Sequence, residues 1–136
     1  MKTVFFYGLF MDEDLLRGKG FHPSNGRVAY ARGYGLRIGE KATLVKSASE
    51  NAYGIVMDLS NEELDSLYSA PGVTEYVPEP IEVTELDGTS YKVTCYNLPI
   101  SKLTGSNKEY AKSLSVTAQK MGLPNSYIDQ ILSWIK

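Results

Sequence analysis

Gly26-Arg27-Val28-Ala29-Tyr30-Ala31-Arg32-Gly33-Tyr34-Gly35-Leu36-Arg37-Ile38-Gly39 is the stretch that decides the architecture. Val28, Tyr30 and Tyr34 mark one strand-like segment, and Leu36 and Ile38 another. Thr43-Leu44-Val45 and Ala52 to Leu59 continue the pattern. Glycine this frequent inside short strands predicts bends and bulges, which a curled sheet or barrel requires.

Upstream, Lys2 to Tyr7 reads as a buried strand that ends at Gly8. Asp12 follows as the cap of a short helix, with Glu13 and Asp14 in its first turn, where the helix dipole favours acids. Gly18 to Asn25 is loop. Downstream, Ser60-Asn61-Glu62-Glu63 is a capping box opening a helix whose Leu64, Leu67 and Tyr68 share a face. That helix stops near Pro71-Gly72. After a loop from Ala70 to Pro80, Ile81 and Val83 alternate with polar residues. Asp87-Gly88 predicts a two-residue hairpin turn, and the return strand carries Tyr91, Val93 and Cys95 on one face. Ser106-Asn107-Lys108-Glu109 reads as a second capping box, followed by Tyr110, Leu114, Ala118 and Met121 as an apolar stripe. Gly122 and Pro124 stop that helix. Asn125 is expected to cap the last one, where Ile128, Ile131, Leu132 and Ile135 fall on one face. The order predicts one α+β domain over residues 1–136, with helices packed outside a curved sheet.

Composition narrows the function classes. Lysine plus arginine is 14 and aspartate plus glutamate 16, a net charge of −2. That excludes a strongly basic nucleic-acid binder. One cysteine, Cys95, allows no internal disulfide and no multi-cysteine zinc site. One histidine, His22, excludes a histidine cage, and no metal site is predicted. No apolar run approaches the ~20 residues of a membrane span. The apolar start is too short for a secretory signal. The expectation is a cytoplasmic protein with no nucleic-acid or membrane partner. Ten tyrosines stand out, because tyrosine suits both a core and a wet pocket wall.

Tyr7-Gly8-Leu9-Phe10-Met11 is the most informative candidate site. A strand runs into glycine and then into a helix start, where free amides can hold a carboxylate or phosphate. The same pattern also serves a plain strand-to-helix turn. The Ala70–Pro80 loop places Glu75 and Glu79 beside Tyr76 among prolines, which stiffen the chain. It reads either as a general-base loop or as a rigid connector. Cys95 is expected in the core and His22 in solvent. Trp134 is expected as a half-buried lid.

Taken together, these segments resemble the gamma-glutamylcyclotransferase family, also called AIG2-like. Val4-Phe5-Phe6-Tyr7-Gly8 resembles the family's strand and Tyr-Gly-Ser loop. Ala52 to Leu59 resembles its glycine-containing central strand. Leu64 to Tyr68, then Tyr76, then Ile81-Glu82-Val83 resembles its Leu-Asp-x-x-Glu-Gly…Tyr…Val-x-Val block. Met121-Gly122-Leu123-Pro124-Asn125-Ser126-Tyr127 resembles the Gly-Leu-Pro-x-x-Tyr end of some members.

The resemblance implies a small mixed β-barrel with flanking helices. It also implies a site in which Tyr7, Gly8, Leu9, Phe10 and Tyr76 bind a small γ-glutamyl or amino-acid-like ligand. In the implied reaction the α-amine of a γ-glutamyl group attacks its own γ-carbonyl, 5-oxoproline forms and the amine departs, without cofactor or metal. One carboxylate must carry protons between the two nitrogens, with a pKa raised by partial burial. The chain departs from the family here. The catalytic glutamate position registers on Pro71 or on Tyr68, and the serine of the loop is Leu9. Two readings follow. Either Glu75 or Glu79 replaces the missing acid, or the barrel is catalytically silent and binds a small carboxylate or a protein partner.

Overall fold

The glycine-rich stretch lies inside one long, bent strand. In the structure, a computed structural model describing residues 1–135 and side chains as far as Trp134, the chain runs β1 (Lys2–Phe6), α1 (Glu13–Gly18), β2 (Ser24–Ile38), β3 (Ala42–Leu59), α2 (Asn61–Leu67), β4 (Val77–Glu85), β5 (Ser90–Asn97), α3 (Lys108–Lys120) and α4 (Asn125–Leu132). A 3-10 turn over Leu9–Met11 joins β1 to α1.

The strands close into a barrel in the order β1-β3-β2-β4-β5. β1 runs antiparallel to β3, from Lys2 opposite Leu59 to Phe6 opposite Ile55. It closes the barrel by lying parallel to β5 at Val4 opposite Thr94. β4 and β5 form a hairpin, and β2 meets β4 at Ala29–Glu85 and Tyr30–Thr84. This is the expected α+β class, a small mixed barrel with helices outside.

Four expected strand segments turn out to be two strands. β2 and β3 pair almost continuously, with a register shift between Arg32 and Tyr34, where Gly33 takes φ +80°. A left-handed glycine lets the bulge form without ending the strand. The β4–β5 turn also differs from expectation. Glu85 N–H donates to the Thr89 carbonyl at 2.8 Å, leaving a three-residue loop that ends in Gly88 at φ +94° rather than a two-residue turn.

Two helix starts shift by one residue. Asn107, not Ser106, caps α3: its Oδ1 accepts from Tyr110 N–H at 2.9 Å. α4 begins at Asn125 itself, with the Pro124 carbonyl accepting from Tyr127 and Ile128. The expected caps at Asp12 and at Ser60–Glu63 form as read.

Phe5, Met11, Leu16, Met57, Leu64, Leu114 and Ile131 are fully buried. Each such side chain contributes about 1.5–3 kcal/mol by leaving water. Cys95 is in this core, and Trp134 is 38% exposed. Ile135 of the expected stripe and residue 136 of the expected domain lie outside the described side chains. Among the described residues, no helix is long and apolar enough to cross a membrane.

Candidate functional site

The barrel is open at the end where β1 leaves it. A cavity of about 240 Å3 lies there, between the Gly8–Phe10 turn, the β2–β3 hairpin tip, the α2–β4 loop and the start of α3. Tyr7, Gly8, Leu9, Phe10 and Tyr76, which the sequence singles out, all line it.

Gly8 has φ −106°, so the turn itself does not demand glycine. Its contribution is space: a Cβ there would sit 2.7 Å from the Tyr110 hydroxyl. Within the turn, Met11 N–H donates to the Gly8 carbonyl at 3.0 Å and Asp12 N–H to the Leu9 carbonyl at 3.2 Å. Among the described residues, no carbonyl takes the N–H of Leu9 or Phe10. The Leu9 N–H faces the Tyr110 phenol.

The wall is aromatic. Tyr7 donates to the Tyr96 carbonyl at 2.9 Å, and Tyr76 to the Ala42 carbonyl at 2.5 Å. Tyr68 stacks on Tyr96, meets Phe10 edge-on and lies tilted against Tyr76. Burial pushes the phenols of Tyr7, Tyr68 and Tyr110 above their ordinary value, and that of Tyr76 up to about 12. At neutral pH these groups are protonated, so they donate hydrogen bonds and do not act as bases. Tyr68 lines the cavity and Pro71 does not.

Neither Glu75 nor Glu79 lines the cavity. Glu75 points to two lysines, with Lys41 Nζ at 3.8 Å and Lys102 Nζ at 3.3 Å, and is 45% exposed. Glu79 sits on β4 opposite Cys95, where Asn97 Nδ2 donates to its carboxylate. The charged wall residues are instead Glu40 and Lys41, at the tip of the β2–β3 hairpin. Sequence reading passes over them because a charged hairpin tip is ordinary. It also assigns Tyr110 to an apolar stripe, whereas its ring is in the cavity wall. Among the described residues, no group of three or more His, Cys, Asp or Glu is placed to hold a metal ion.

The sequence profile of the AIG2-like family matches residues 51–131, from β3 through α4. The chain belongs to the AIG2-like family. This AIG2-like chain is 29% identical over 88 residues to a gamma-glutamylcyclotransferase of Bos taurus, an alignment covering 63% of the chain and 47% of that protein. It therefore spans about half the length of the curated relative it matches. A solved gamma-glutamyl cyclotransferase superposes with a TM-score of 0.78 at 21% identity, covering 96% of the chain and 85% of that structure. A gamma-glutamyl cyclotransferase specific to glutathione, from yeast, superposes at 0.66 with 14% identity, covering 98% and 97%. At these identities the AIG2-like chain shares their fold.

Proposed function

We propose that the cavity receives a γ-glutamyl amine or peptide and promotes its cyclisation to 5-oxoproline. The observation that carries this reading is the Gly8–Phe10 turn, which opens on the aromatic cavity with the Phe10 amide free of the chain's own carbonyls and the Leu9 amide turned to the Tyr110 hydroxyl, which a ligand would displace. Such amides suit the α-carboxylate of the glutamyl group. The aromatic wall suits the acyl chain and the departing amine. Family membership supports the same reading.

The chemistry balances within the substrate. The α-ammonium gives up a proton, and its nitrogen attacks the γ-carbonyl carbon to close a five-membered ring. The bond from that carbon to the departing nitrogen then breaks as a proton is delivered to it. The second proton of the attacking nitrogen follows, so the products are 5-oxoproline and a protonated amine.

Incubation with a panel of γ-glutamyl peptides and amines is expected to release 5-oxoproline. If the protein neither releases 5-oxoproline nor binds any member of the panel in calorimetry, the proposal fails. Binding of a small carboxylate without turnover would instead assign the barrel a purely binding role.

A further inference from the structure

The cyclisation just proposed needs a carboxylate at the cavity, and the inference drawn here rests on that reading. Apart from Glu40 and Lys41, the described side chains lining the cavity are phenols, phenyl rings and aliphatic groups, and burial holds the phenols protonated. Glu75 and Glu79 are not among the lining residues and are engaged elsewhere, Glu75 with Lys41 and Lys102 and Glu79 with Asn97. Glu40 is the one carboxylate-bearing residue among the described residues that line the cavity, at its exposed rim.

Its placement is built by distant parts of the chain. Gly39 N–H donates to the Lys41 carbonyl at 2.9 Å, which tightens the hairpin tip. Glu40 N–H donates to the Thr104 carbonyl at 2.7 Å, and the Glu40 carbonyl accepts from Asn107 Nδ2 at 3.2 Å. The same Asn107 caps α3 and holds the N–H of Tyr110, which reaches across to Gly8. Gly105, at φ +69°, leaves the room that the Glu40 side chain occupies: a Cβ there would sit 2.9 Å from its Cγ. A hairpin tip needs none of these long-range contacts to turn. They hold the Glu40 backbone at the exposed rim of the cavity, with its side chain against Gly105, in one unit with the wall's tyrosine and the Gly8 turn.

We infer that Glu40 is the carboxylate that exchanges protons with the substrate in this cavity. Lys41, the next residue, is the cation of the same wall. The α-carboxylate is held by the Gly8 turn, as proposed above, which leaves the ammonium on the same carbon for Glu40. With the ammonium at Glu40, its proton passes to the carboxylate. The same carboxylate then returns a proton to the departing nitrogen and ends unchanged.

The test compares wild-type protein with Glu40→Gln and Glu40→Asp, measuring 5-oxoproline release and, by calorimetry, binding of 5-oxoproline and of a γ-glutamyl peptide. Glu40→Gln is expected to lose about 100-fold or more in kcat while binding stays within about threefold, the range of general acid–base catalysis. Glu40→Asp, which keeps a carboxylate, is expected to retain part of the rate, and circular dichroism checks that both variants fold. A Glu40→Gln variant that turns over like wild type overturns the assignment and leaves the proposed cyclisation standing. So does a folded Glu40→Gln variant that loses binding altogether, which makes Glu40 a substrate-holding group. Loss of turnover in Glu75→Gln or Glu79→Gln with Glu40→Gln still active overturns it as well. Absence of both binding and product with wild-type protein overturns this inference together with the reading beneath it.

Discussion

The rings of Tyr68 and Tyr96 lie face to face, with centroids 3.9 Å apart and planes 9° from parallel. Tyr68 also meets Phe10 edge-on at 5.9 Å, so it joins the Gly8 turn to β5 through aromatic contacts. Aromatic pairs of this kind add about 0.5–1.5 kcal/mol beyond their buried area. Tyr68 is thus a packing centre between the turn and the barrel wall. Tyr68→Phe keeps the rings and should leave the urea midpoint nearly unchanged. Tyr68→Ala should lower stability by roughly 2–3 kcal/mol, somewhat less than a fully buried ring. Equal midpoints for the two variants would mean the stack contributes nothing.

Gly8 gives a second measurement. Its φ is ordinary, so alanine brings no backbone strain there, but the new Cβ would meet the Tyr110 hydroxyl at 2.7 Å. The tyrosine is the softer partner and must swing toward the cavity. Gly8→Ala should therefore cost stability only about 1 kcal/mol, in the range for modest overpacking. It should weaken binding of 5-oxoproline at least tenfold in calorimetry. Unchanged affinity would show that Tyr110 moves away from the ligand space.

The α2 cap links stability to pH. Ser60 N–H donates to Glu63 at 3.0 Å and His22 N–H at 2.7 Å. The Ser60 bond first, and then that from His22, hold the Glu63 carboxyl below the ordinary carboxylate range. The folded form thus binds this proton less readily than the unfolded form. Its contribution is complete above the unfolded value near ~4.3 and disappears as pH falls through the lower folded value. Glu63→Gln should be less stable than wild type at pH 7 by roughly 0.5–1 kcal/mol, given the exposure of the site. The two thermal unfolding curves should converge toward pH 3. A constant gap across that range would show that charge plays no part.

Cys95 is fully buried, and burial pushes its thiol well above the ordinary value. A thiol in that state is neither exposed nor ionised. Folded protein should leave a thiol reagent such as dithionitrobenzoate unreacted, and one equivalent should react in guanidinium. Rapid labelling of native protein would contradict the burial.

The barrel was legible because its signals are local. Glycine at 33 permits a bulge whatever surrounds it, the Ser60–Glu63 box closes within four residues, and the Gly8 turn announces itself by following a buried strand. The cavity's charges were not legible. Glu40 is fixed by Thr104 and Asn107, more than sixty residues onward, and nothing in Gly39-Glu40-Lys41 hints at those partners. The placement of Glu75 and Glu79 is illegible for the complementary reason. Their proline-rich surroundings suggested a held loop, but their orientation depends on Lys41, Lys102 and Asn97, which only the folded chain brings near.

The parallel seam between Val4 and Thr94 governs when the cavity first exists. During translation β1 can dock on β3 once residue 59 has emerged, yet the ring of strands stays unsealed until β5 arrives some ninety positions after Val4. Contacts this distant in sequence are slow to form. A nascent chain halted before β5 exposes β1 with one bare edge, a form that a chaperone or a protease would meet before any ligand does.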